Sequence, residues 1–312
     1  MIEIRDLAKK YGKIQALRGV SMTIRKGEIV GLLGPNGAGK TTTMKILAGY
    51  LLPTSGAARV AGHDVVEEPL KVQEKIGYLP ENAPIYLDML VYEYLRFMAD
   101  MRGLGVERDR RIGRAVEECG IGGVLGRHIG HLSKGYRQRV GLAATILHEP
   151  GILILDEPTT GLDPNQIVEV RDLIRRMGQT KTVILSTHIL PEVEATCDRA
   201  VILIDGQIRA DGKLDELTRS CTEVVSVACG DTDAARQVLV DVAGVTAVEV
   251  SGADGDYTTF RLELVGDADV GSAVFEAVSS RGWKLRELRR DHKTLEQVFR
   301  ELTETTAMEM TA

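Results

Sequence analysis

The run Gly34-Pro35-Asn36-Gly37-Ala38-Gly39-Lys40-Thr41 fits the pattern G-x-x-x-x-G-K-[ST]. It follows the apolar segment Ile29–Leu33 and opens a helical pattern, the context in which such a loop holds phosphate. Glycines let backbone N–H groups turn inward onto phosphate oxygens. The helix start at Lys40–Thr42 adds partial positive charge. In this setting Lys40 reaches the β- and γ-phosphates of a nucleotide, and the Thr41 hydroxyl ligates Mg²⁺.

A second chemical signal is Ile152-Leu153-Ile154-Leu155-Asp156-Glu157. Four apolar residues make a buried strand with two carboxylates at its C-terminal end. Ligands of open α/β sheets bind at that edge. Asp156 can hold Mg²⁺ through its water shell, and Glu157 can orient or deprotonate an attacking water. Behind a phosphate loop, the metal-site reading prevails over a plain acidic strand end.

The elements that must position these groups alternate. Ile2–Leu7, Val20–Ile24, Ile29–Leu33, Ile76–Leu79, Ile152–Leu155, Val183–Ser186 and Val201–Asp205 are short, apolar and β-branched. The last four read as buried central strands. Helical patterns lie between, at Thr41–Ala48, Val91–Met101, Arg108–Cys119, Tyr136–Leu147 and Pro164–Met177. The alternation predicts a mixed, mostly parallel α/β sheet with packed helices. Beyond about residue 217 the order becomes β-α-β-β-α-β, a small α+β ferredoxin-like unit. Asp254-Gly255-Asp256 reads as a hairpin turn in it, and Trp283 as core.

Three further segments carry a resemblance. Leu132-Ser133-Lys134-Gly135-Tyr136-Arg137-Gln138-Arg139 precedes the acidic strand, Gly161-Leu162-Asp163 follows it, and His188 ends the next strand. In this order, over about residues 1–215, the chain resembles the ATP-binding subunit of an ATP-binding cassette (ABC) transporter. The run Gly77-Tyr78-Leu79-Pro80-Glu81 and the end Thr294–Phe299 look like bacterial exporter-type subunits, closest to the gliding-motility-associated group. The resemblance implies a P-loop ABC ATPase domain at 1–217 with a helical signature subdomain at about 82–147. An accessory domain is expected at 218–302 and a flexible tail at 303–312.

The resemblance also implies roles. Gly34, Pro35, Asn36, Gly37, Ala38, Gly39, Lys40, Thr41 and Thr42 bind ATP, with Tyr11 stacking on adenine. Ser133, Lys134 and Gly135 face the γ-phosphate of the ATP held by a second copy. Asp163 lies at the dimer contact, and His188 contacts the γ-phosphate. Thr41, Asp156 and Glu81 surround Mg²⁺, Glu81 standing where many members carry glutamine. Glu157, His188 and Lys40 are the catalytic set. Read as residues alone, Ser133 is an N-cap and Asp163-Pro164 a helix start. The lesser alternative for Tyr11 is packing in the first hairpin. Lys134 and Tyr136 depart from the common Leu-Ser-Gly-Gly-Gln form. Tyr78, Tyr86, Tyr92, Tyr94 and Phe97 cluster where the family docks its membrane subunit.

Composition sets limits. Of 312 residues, 39 are Lys or Arg and 45 are Asp or Glu, a net charge of -6. The chain lacks the basic footprint of a nucleic-acid binder. No run of about 18 apolar residues is present to span a membrane, and the resemblance implies a separate permease partner. Met1–Lys10 is too charged for the apolar stretch of a signal peptide, and the resemblance implies a place at the cytoplasmic face of the membrane. Cys119, Cys197, Cys221 and Cys229 have no metal spacing and read as reduced, mostly buried thiols. The expected function is ATP hydrolysis that powers export, with ATP-dependent dimerisation of two copies. The rival is a non-transport ABC ATPase that switches a ribosome or DNA, but such proteins resemble paired cassettes or carry long coiled-coil insertions.

Overall fold

A computed structural model describes residues 1–266 and 268–311, with all their side chains except those of residues 220, 221, 292 and 307–311. The chain forms two compact units, Met1–Leu217 with Glu301–Ala312, and Thr218–Arg300. In the first unit the strands are β1 (Ile2–Tyr11), β2 (Ile14–Ile24), β3 (Ile29–Leu33), β4 (Ser55–Val60), β5 (His63–Asp64), β6 (Ile76–Leu79), β7 (Ile152–Asp156), β8 (Thr182–Thr187), β9 (Arg199–Ile204) and β10 (Gln207–Lys213). Its helices are α1 (Lys40–Leu47), α2 (Pro69–Lys75), α3 (Val91–Met101), α4 (Arg108–Cys119), α5 (Lys134–Ile146), α6 (Pro164–Gly178), α7 (Leu190–Thr196) and α8 (Leu214–Leu217).

Two sheets build this unit. One has the order β10-β9-β3-β8-β7-β6, parallel except for β10. The other is antiparallel, β2-β1-β4-β5. The expected strands Ile2–Leu7 and Val20–Ile24 thus leave the central sheet and form a hairpin outside it. β4 was illegible because Ser-Gly-Ala-Ala-Arg-Val carries little strand preference before its last residue. β3, β7 and β8 are fully buried, apolar runs covered on both faces. β6, expected in the centre, is the edge strand, and its Tyr78 is half-buried. One core of Ile, Val, Leu and Met side chains joins β1–β4, α1 and the central strands.

Register decides what meets at the C-terminal edge. Leu33 of β3 lies opposite Thr187 of β8, and Asp156 of β7 lies opposite Ser186. The residues that follow each strand therefore emerge side by side.

His148 illustrates the tightness of this core. Its Nε2 donates to the Ile76 carbonyl at 2.8 Å. Burial, aided by Arg102, pushes its pKa from 6.5 down to about 4. Between those values the unfolded chain binds the extra proton, so stability is full at neutral pH and falls as pH drops through the window. The expected loss is about 3 kcal/mol. Denaturant unfolding from neutral pH to about pH 4 should show a shallower dependence in His148→Gln than in the native chain.

The second unit contains β11 (Arg219–Ala228), α9 (Thr232–Val240), β12 (Val245–Asp254), β13 (Tyr257–Leu264), α10 (Gly271–Ser280) and β14 (Lys284–His292). Its antiparallel sheet has the order β12-β13-β11-β14, the arrangement of a ferredoxin-like unit. Asp254 pairs with Tyr257 around a turn in which Gly255 has φ 59°. Val225, Phe260, Leu262, Val274 and Val278 fill its own core, with Trp283 packed against it.

The last helix, α11 (Leu295–Thr311), corrects the expected tail. It continues through residues expected to be loose because Glu, Ala and Met there favour helix. Thr305 and Thr306 turn their hydroxyls onto the carbonyls of Glu301 and Leu302, at 2.9 and 2.7 Å. Cys119 and Cys197 are buried free thiols and Cys229 is half-buried; the Cys221 side chain lies outside the described residues.

Candidate nucleotide site

The edge where β3, β7 and β8 end opens into a cleft of about 400 Å³. Asn36 to Thr42, Glu81, Glu157, Thr160 and His188 line it, together with Ala16 of the first hairpin. The loop after β3 needs glycine for two reasons. A Cβ on Gly34 would stand 2.2 Å from the Leu203 carbonyl oxygen. Gly39 has φ +106° and would place a Cβ 2.6 Å from the Ala16 carbonyl oxygen. The loop is thus pressed against backbone on its outer side, and its other side lines the cleft.

Lys40 is buried, and its Nζ donates to the carbonyls of Gly34 and Pro35 at 2.7 and 3.2 Å. The same Nζ lies 3.5 Å from Glu157 Oε1. Both partners of this ion pair are nearly withdrawn from water, so it is screened little.

Thr41 Oγ1 donates to Asp156 Oδ1 at 3.1 Å, and Ser186 Oγ donates to the same oxygen at 2.6 Å. Asp156 is buried. These are hard oxygen groups, the kind that suits Mg²⁺. Among the described residues no cluster of three or more His, Cys, Asp or Glu could enclose a metal. Mg²⁺ in phosphate sites needs no such cluster, since one or two carboxylates and the phosphates suffice.

Glu157 takes a left-handed backbone, φ 48°, rare for a residue with a side chain. That costs about 1–2 kcal/mol. Ser186 Oγ accepts its N–H at 2.9 Å and holds the turn. The carboxylate is reached by three groups: Lys40, the Thr160 hydroxyl at 3.1 Å, and His188 Nδ1 at 2.9 Å. An ionised carboxylate only accepts, so Nδ1 carries the proton in this pairing. The arrangement can hold a water, accept its proton and place a cation against phosphate oxygens.

The other expected site residues lie elsewhere. Ser133 caps α5, and its hydroxyl accepts from the Tyr136 N–H at 3.3 Å. Asp163 caps α6, accepting from the Gln166 N–H at 3.0 Å with Pro164 first in the helix. Gly135 faces the Gln166 side chain so closely that a Cβ would stand 2.7 Å from it, and the exposed Lys134 lays its Nζ against Gly161. None of Ser133, Lys134, Gly135 and Asp163 lines the cleft. Tyr11 does not line it either; it ends β1, with Lys9 Nζ 5.3 Å from its ring centroid. Thr160 and Ser186 went unread in the sequence. Their signal was slight: Ser186 ends an apolar run and Thr160 lies a short way past one, as many hydroxyl residues do.

A family model described as ABC transporter matches residues 17–160. The uncharacterized ABC transporter ATP-binding protein YxlF of Bacillus subtilis is 41% identical over 70% of this chain and 72% of its own. The linearmycin resistance ATP-binding protein LnrL of the same organism is 32% identical over 97% of this chain and 98% of its own. A solved dimeric ATP-binding cassette in a post-hydrolysis state, bound to ADP and Pi, superposes with TM-score 0.62 at 25% identity. It covers 69% of this chain and 99% of that one.

Proposed function

Because the chain belongs to the ATP-binding subunits of bacterial ABC transporters, we propose that Glu157 is its hydrolytic base and that two copies close over two ATP molecules to drive export. ATP hydrolysis comes with that family. The observation that carries the site is the convergence on Glu157 of Lys40, Thr160 and His188 inside the phosphate-loop cleft.

When nucleotide enters, Lys40 exchanges the loop carbonyls and Glu157 for β- and γ-phosphate oxygens. Glu157 is thereby released to face water. A water oxygen attacks the γ-phosphorus, the bond to the β–γ bridging oxygen breaks, and Glu157 takes the water's proton. His188 steadies the γ-phosphate, and Tyr11 stacks on adenine. Thr41 and Asp156 would hold Mg²⁺, with Glu81 at the rim; the ion supplies charge neutralisation on the phosphate oxygens.

The partners follow from the same reading. No helix among the described residues is long and apolar enough to cross a membrane. We place the chain at the cytoplasmic face, held by a separate permease. Tyr86 and Phe97, both exposed and 5.7 Å apart edge to face, belong to the surface that meets it. Likeness to a resistance protein over nearly the whole chain supports export. The rival reading as a ribosome or DNA switch is not favoured by these relatives.

Assembly provides the test. Glu157→Gln with ATP should shift the chain from monomer to dimer by light scattering. Adding Ser133→Arg should reverse the shift, because it puts a bulky side chain where the facing phosphate must sit. A dimer indifferent to both ATP and Ser133 would contradict the sandwich.

A further inference from the structure

His188 follows the last residue of β8 and precedes α7, so its position depends on what fixes residues 187–189. One side chain does so from beneath. Glu192 of α7 is buried, and its Oε2 accepts the Thr187 hydroxyl proton at 2.9 Å. Thr187 Oγ1 in turn accepts the Ile189 N–H at 3.0 Å. The chain Glu192, Thr187 Oγ1, Ile189 N–H brackets His188 on both sides. In this form His188 Nδ1 stands 2.9 Å from Glu157.

The base of the bracket is firm. α7 lies so close to β3 that a Cβ on Gly31 would stand 3.0 Å from both Val193 Cγ1 and Cys197 Sγ. Glu192 is thus anchored to the strand that delivers the phosphate loop. Its second oxygen, Oε1, is buried without a hydrogen-bond partner among the described residues. A buried, half-satisfied carboxylate is a poor choice for stability, since an apolar side chain of similar volume would avoid the desolvation. Its use points to something other than packing.

We propose that Glu192 is a positioning residue for hydrolysis, holding His188 against Glu157 through the Thr187 hydroxyl. The proposal rests on the reading of Glu157 and His188 as the reacting pair. Glu192 does not line the cleft; it acts only through the loop.

The test uses the full chain and ATP. Glu192→Leu removes the acceptor beneath Thr187, and Thr187→Val removes both bonds of the bracket while keeping the branched shape. Each should lower kcat by about ten-fold or more, since small misplacements near a reacting centre are costly. The KM for ATP should stay within about two-fold, because the phosphate loop is untouched. Glu192→Gln keeps an oxygen that can accept from Thr187, and should restore most of the rate. Unfolding midpoints of all variants report any general loss of structure.

Wild-type kcat in Thr187→Val and Glu192→Leu, with His188→Ala inactive, would overturn this proposal alone. Equal loss in Glu192→Gln and Glu192→Leu would overturn the hydrogen-bond account. A rise in KM together with a lowered unfolding midpoint would reduce Glu192 to a structural role. Wild-type turnover in His188→Ala would overturn both the proposal and the assignment of His188 on which it rests.

Discussion

Glu157→Gln should leave ATP bound and remove nearly all of its hydrolysis, lowering kcat by about 10²–10⁴-fold. The substitution keeps size and shape. The left-handed backbone of residue 157 is held by Ser186, so the side chain still enters the cleft. An amide oxygen can still accept from Thr160 and His188. What it cannot do is take a proton from water. Steady-state phosphate release measures the loss. Turnover within about ten-fold of the native chain would exclude Glu157 as base.

Lys40→Ala should act on binding instead. It removes the one buried ammonium of the cleft that can meet β- and γ-phosphate oxygens, and ATP affinity should fall by about 100-fold or more. It also strands Glu157 in the nearly dry pair seen at 3.5 Å. Breaking a buried pair from one side costs about 3–5 kcal/mol. Calorimetric titration and denaturant unfolding should therefore fall together. Unchanged ATP affinity would refute the phosphate-cradle reading.

Much of this was legible in order and spacing. Val91–Met101 and Arg108–Cys119 begin and end where their apolar period does. The β-branched runs of β7 and β8 fall within one residue of their expected bounds at either end. Lys40 could be named from the phosphate-loop pattern, and Asp156 and Glu157 from an acidic strand end at the edge where ligands bind, whereas His188 came only with the resemblance. The antiparallel sheet was harder. β4 and β5 hold few strand formers, and pairing with β1, not propensity, makes them strands. The end of α11 was misread because polar composition suggested a tail, although threonine can bond back onto its own helix. Ser186, Thr160 and the Glu192 bracket depend on contacts across the sheet, which no local window reports.

The pairing of Lys40 with Glu157 has a consequence for how affinity is measured. On the proposed role of Lys40 at the phosphates, the carboxylate is an internal competitor of nucleotide for that ammonium, tethered in the same cleft at high effective concentration. Native affinity for ATP is therefore a net quantity, the phosphate contact less the ion pair it displaces. Glutamine at residue 157 is a weaker competitor because it carries no charge. The variant that traps ATP by slowing its hydrolysis thus also starts from a cation already released. Dissociation constants measured in Glu157→Gln overstate the native grip on nucleotide, and the difference should shrink with added salt less than a surface effect would, since the pair is screened little.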